Sequence, residues 1–186
     1  MKIENEILDI LKKNQEEFKH ARDTLKWLLV LKPSADRILR IAALSHDIER
    51  AITPWKNITG IHTKKFRKKH AERSSRIMKK ILKKYNFNKF NIERVTSLIL
   101  KHEVGRNEEQ NLIKDADSLS NFQWCDDFFK TRELEEIKLI LKEMYERMSI
   151  ENITLINQIK FKNKEVRDLL KDLNILKNNI KNEKRR

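Results

Sequence analysis

The chain has 186 residues, with one cysteine, two glycines and two prolines, and its 42 Lys and Arg against 28 Asp and Glu give a net charge of +14. A lone cysteine, Cys125, excludes an internal disulfide framework, scarce glycine argues against hairpin-rich folds and Gly-loop phosphate cradles, and no apolar run approaches the roughly 20 residues that span a bilayer. The expectation is an all-α, cytoplasmic protein without a signal peptide or membrane segment. Its positive field would attract phosphorylated ligands without choosing between a nucleic acid and a small molecule.

Ile3, Ile7, Leu8, Ile10 and Leu11 have the three-and-four spacing of a first amphipathic helix. A second is predicted from about Glu16 to Leu31, ended by Pro33, with Ser34 as N-cap of the next. That third helix, Ala35 to about Ala51, has an almost wholly apolar middle and is the candidate central helix. Thr53 to Thr63 reads as a loop and Lys64 to Tyr85 as a long basic helix. Asn91 is expected to cap a helix running to Gly105, and Gln110 to Phe122 a short one. Thr131 to Met148 is strongly helical, and the pattern continues through Ile153, Ile156, Ile159, Val166 and Leu170 before a polar tail. The reading is one helical domain over residues 1–150 with a helical extension over 151–186. The basic charge reads as spread along the chain, with concentrations at residues 64–69 and in the tail at Lys181, Lys184, Arg185 and Arg186.

The chemistry lies in the histidines. His46 and Asp47 follow the most apolar stretch of the chain, Ile41-Ala42-Ala43-Leu44-Ser45, where a carboxylate is costly to bury unless compensated. A divalent cation compensates it and would take both residues as ligands. His20 stands one helix earlier, and Asp117 several helices later in Asp115-Ala116-Asp117-Ser118-Leu119. An HD dipeptide alone arises often by chance; four ligand-type residues at the ends of core helices are a more demanding pattern.

The order His20, His46-Asp47, Asp117, with Leu44-Ser45-His46-Asp47-Ile48 and Ala116-Asp117-Ser118-Leu119 around it, resembles the HD-domain superfamily of metal-dependent phosphohydrolases over about residues 20–122. The resemblance implies a helical bundle with His20, His46, Asp47 and Asp117 on a metal ion, and it selects Asp117 over Asp115. It further implies that His70 and His102 hold a second ion, as in the two-metal branches. One or two divalent transition ions (Mn, Fe, Co, Ni or Zn) are expected. Many relatives follow the His-Asp pair with a small residue and a lysine; here Ile48-Glu49-Arg50 stands instead. Asp47 is expected to orient the attacking water, with Glu49 a second candidate for that water or its proton. Arg50, Lys69, Arg73 and Arg106 are candidate phosphate contacts. The substrate class is a small phosphorylated compound such as a nucleotide. The rival reading is a non-enzymatic nucleotide- or nucleic-acid-binding module on the same bundle. His62 fits no part of the pattern and reads as a surface residue. No Ser or Cys nucleophile arrangement and no zinc-finger spacing is present.

Overall fold

A computed structural model describes residues 2–53, 63–128 and 133–172, and among these every regular element is helical. They are α1 (Lys2–Leu11), α2 (Gln15–Leu31), α3 (Arg37–Ser45), a 3-10 segment Ile48–Ala51, α4 (Lys64–Lys84), α5 (Lys89–Lys101), α6 (Glu108–Phe128), α7 (Leu134–Arg147) and a second 3-10 segment Ile150–Gln158. Residues 164–172 are again helical. The expected all-α class is what the structure has. None of the described helices is long and apolar enough to cross a membrane. His62, most of the 53–63 loop and the basic tail at Lys181, Lys184, Arg185 and Arg186 lie outside the described residues.

Two compact units divide at Ser120, within α6; the sequence partition at residue 150 is a different division. In the first unit, α3 packs against α2 and α5, α4 against α5 and the 3-10 segment, and α1 against α2 and the same segment. Ile38, Leu39, Ile41, Ala42, Ala43 and Leu44 are all buried, so α3 is the central helix its composition suggested. Each large aliphatic chain so buried contributes about 1.5–3 kcal/mol. Ala42 and Ala43, fully buried, leave room for neighbouring helices to approach closely. In the second unit Ile137, Leu141, Tyr145, Ile156 and Val166 are buried, and Asp126 accepts the backbone N–H groups of Lys162 and Asn163 at 2.7 and 3.1 Å ahead of the last helix. Cys125 is buried, and that burial pushes its thiol up to about 12, so it packs rather than reacts.

Several boundaries differ from the sequence expectation, each for a local reason. Asp36, not Ser34, caps α3: its Oδ1 accepts the Leu39 N–H at 2.9 Å. Asn88, not Asn91, caps α5, accepting the Asn91 N–H at 2.8 Å. The third helix stops at Ser45 rather than Ala51. There His46 Nδ1 donates at 2.9 Å to the Ala43 carbonyl, the acceptor a further helical turn would need for the Asp47 N–H. Asp47 follows with φ −107° and ψ 19°, in the sparsely allowed bridge region where site residues often sit. The chain then tightens into the 3-10 segment, and one apolar run ends by presenting an imidazole and a carboxylate side by side.

Candidate metal centre

Two helix ends and three helix faces converge in the first unit. His20 comes from α2, His46 and Asp47 from the end of α3, His70 from the inner face of α4, His102 from the end of α5 and Asp117 from α6. His46 and His102 are fully buried, His70 is 1% exposed, and Asp47 and Asp117 are each 4% exposed. A cluster of this composition is strongly unfavourable in a protein interior unless its charges are matched.

Each of the four clustered histidines has its Nδ1 tied to a partner behind it. His46 Nδ1 faces the Ala43 carbonyl, and His102 Nδ1 the Ile99 carbonyl at 2.7 Å. His20 Nδ1 lies 3.0 Å from Ser120 Oγ, which donates to the His20 carbonyl at 3.3 Å and so accepts from the ring. His70 Nδ1 lies 3.2 Å from Glu49 Oε2. In the neutral rings this places the proton on Nδ1 and a lone pair on Nε2, and all four Nε2 atoms point into the cluster. Outer-shell partners of this kind are what orient metal-ligating imidazoles.

Inside the cluster, His20 Nε2 stands 3.2 Å from His46 Nε2 and 3.1 Å from Asp117 Oδ1, and His46 Nε2 stands 3.5 Å from that oxygen. Ligand atoms sharing one cation at about 2.1 Å are separated by about 3.0–3.4 Å along the edge of an octahedron or tetrahedron. Asp47 faces a second group as well: its Oδ1 lies 2.5 Å from His70 Nε2, 3.4 Å from His102 Nε2 and 3.7 Å from His46 Nε2. His102 Nε2 is buried with no hydrogen-bond partner. Three triads have ligand atoms close enough to hold an ion: His20, His46 and Asp117; His46, Asp47 and His102; and His70, His102 and Glu103. The residues present therefore fit a divalent transition metal.

The electrostatics point the same way. Burial opposes charge on His20, His70 and His102, yet the carboxylates around them win. Asp117 and Asp47 raise His20, Asp47 and Glu49 raise His70, and Asp47 and Glu103 raise His102 to about 10. Burial also opposes ionisation of Asp47, but Arg50, His46 and His70 hold its carboxyl well below the usual range.

All six expected metal ligands are thus brought together. Of the other expected residues, Arg50 joins the cluster, its Nε 3.3 Å from Asp47 Oδ2. Glu49 is 2% exposed, with its oxygens on His70 and on Arg73 Nη1 at 3.1 Å, so it stands behind His70 rather than inside the cluster. Lys69 and Arg106 are exposed, and no hydrogen bond or ion pair among the described residues ties either to the cluster. Sequence reasoning missed three contributors. Glu17 sits one turn before His20; its Oε2 is buried without a hydrogen-bond partner, and burial raises its pKa. Glu103 has Oε1 3.5 Å from His102 Nε2. Ser120 orients His20. The i, i+3 spacing of Glu17 and His20 and the adjacency of His102 and Glu103 were the available signals.

A family model described as "Domain of unknown function (DUF4202)" matches residues 4–170, and the chain belongs to that family. No curated protein and no solved structure matches it.

Proposed function

We propose that this member of the DUF4202 family is a metal-dependent phosphohydrolase of the HD type. Its substrate would be a phosphoester or phosphoanhydride of a nucleotide or related small phosphorylated compound, and its setting the cytoplasm. The observation that carries the reading is the convergence of four Nε2 atoms on the carboxylates of Asp47 and Asp117, with every Nδ1 held from behind. His20, His46, Asp47 and Asp117 would hold one ion and His70 and His102, sharing Asp47, a second. When bound, Mn, Fe, Co, Ni or Zn lowers the pKa of water and offsets charge developing on phosphorus. The chain supplies the rest. Asp47, held ionised by Arg50, orients the water and accepts its hydrogen bond. Arg50 presents the rest of its guanidinium to a phosphoryl oxygen. Glu49 fixes the ring of His70 and so acts by positioning. Burial excludes bulk water and strengthens these interactions.

The test is metal content by mass spectrometry on wild type and Asp47→Ala after identical loading, followed by phosphate release from nucleoside mono- and triphosphates. One or two ions per chain, lost in the variant together with metal-dependent phosphate release, would support the proposal. Bound metal without turnover of any phosphate compound would move the assignment to a non-enzymatic binding module. A wild type that retains no metal would end it.

A further inference from the structure

The sequence reading took the basic charge as spread along the chain with a concentration at residues 64–69, and α4 continues that concentration along its whole length. That helix has eleven Lys and Arg against a single acid, Glu72. Lys65, Lys69, Arg73, Arg76, Lys80 and Lys83 follow one another at three- and four-residue spacing, which places them on one stripe of the helix, and all six are exposed. The opposite face, with His70, Ala71, Ser74, Met78 and Leu82, is buried. Off the stripe several lysines sit on carboxylates, as Lys12 does on Asp9, Lys26 on Asp23, Lys32 on Glu108 and Lys84 on Glu6. Among the described residues no carboxylate lies within 4.0 Å of Lys65, Lys69, Lys80 or Lys83. Like charges at this spacing weaken a helix, so the stripe is retained against a structural cost.

The stripe borders a groove of about 550 Å³ lined by Arg73, Arg76, Lys80 and Lys83 together with Thr53 and Glu49. Glu49 is the carboxylate that bonds both Arg73 and His70, so the groove begins one residue away from the metal centre. At about 1.5 Å per residue the stripe from Lys65 to Lys83 runs about 27 Å. That is long enough for several consecutive phosphates of one strand and far longer than the tail of a mononucleotide. Insertion into a lipid surface would need apolar side chains beside the charge, and the apolar side of α4 is occupied by the core.

We propose that the α4 stripe is a binding track for the phosphate backbone of a single nucleic-acid strand. Contacts are to phosphates, so binding is sequence-tolerant and strongly salt-dependent. The inference concerns binding alone and stands or falls independently of the hydrolase reading.

The test is fluorescence anisotropy of a labelled 15-nucleotide oligouridylate with the full chain carrying Asp47→Ala, which prevents turnover, from 50 to 200 mM KCl. Four to six engaged phosphates give a slope of log K against log salt of about −3 to −4, at ~0.7 per contact. Adding Arg76→Gln, Lys80→Gln and Lys83→Gln should make that slope less negative by about 2 and weaken binding about tenfold or more. A control with Lys2→Gln, Lys13→Gln and Lys89→Gln removes the same charge off the stripe and should leave the slope unchanged; circular dichroism verifies both folds. No binding at 50 mM salt, an equal loss in both triple variants, or tighter binding to phosphatidylserine vesicles than to the oligonucleotide would each overturn the assignment.

Discussion

His70 Nε2 lies 2.5 Å from Asp47 Oδ1, joining the inner face of α4 to the turn that follows α3. Through this contact the strongly basic α4 is anchored to a buried carboxylate of the cluster. Glu49 holds the other nitrogen of the same ring at 3.2 Å while bonding Arg73. A single line of side chains thus runs from the surface of α4 to the centre.

The first prediction concerns Glu49. Removing its charge as Glu49→Gln leaves the volume unchanged but weakens the hydrogen bond that orients His70. Metal affinity, read by competition with a chromophoric chelator, should fall about 10- to 100-fold with helical circular dichroism unchanged, as for other outer-shell partners. An unchanged affinity in the folded variant would show that Glu49 does not position His70.

His46 and Asp47 stood out in the sequence because an imidazole and a carboxylate follow a stretch that the pattern assigns to core, whereas Asp117, His70 and His102 were singled out only by the family resemblance. The breaking of α3 at Ser45 was not legible. It goes with His46 turning back onto the carbonyl of Ala43, and helical periodicity carries no information about such a bond. His102 repeats the device at the end of α5, with its Nδ1 on the Ile99 carbonyl. Glu17 was overlooked because an acid in the first turn of a helix is ordinary there; only the fold buries it. The charge of α4 was visible as a run at residues 64–69, but its continuation as a stripe to Lys83 becomes apparent only when residues are read by face.

Capping supplies a second prediction. Asp36 accepts the Leu39 N–H and also pairs with Arg94 at 2.6 Å, while Arg94 bonds Glu109, so one residue ties α3 to α5 and α6. Asp36→Ala should cost about 1–2 kcal/mol for the cap plus up to about 1 kcal/mol for the exposed pair. Ser34→Ala should be neutral within about 0.5 kcal/mol. Urea denaturation of both variants checks the order, and equal losses would contradict the cap assignment.

A third prediction rests on Gly105, three residues after His102. Its φ is +65°, and a Cβ there would stand 2.0 Å from Asn111 Oδ1. Gly105→Ala is therefore both strained and crowded, and should cost about 1–3 kcal/mol, lowering Tm by several degrees at about 2–4 °C per kcal/mol. Asn86, at φ 55°, is a control: Asn86→Gly relieves a left-handed residue without any clash and should not lower Tm.

The last prediction is a pH dependence away from the metal centre. Arg37 donates to Glu4 at 2.7 and 3.1 Å, joining α1 to the start of α3. The hydrogen bond from Arg37 outweighs burial and holds the Glu4 carboxyl at about 2, down from 4.5. A carboxylate whose folded pKa is depressed binds protons more readily unfolded, so its stabilisation is complete above pH 4.5 and disappears as pH falls towards 2. Glu4 is 28% and Arg37 51% exposed, so solvent screening limits the contribution to about 1 kcal/mol or less. Glu4→Gln should therefore be less stable than wild type at pH 7, with the gap narrowing between pH 4.5 and 2. Thermal melts at pH 7, 4 and 3 measure that gap; one that is constant or grows on acidification would show that the ion pair does not stabilise the fold.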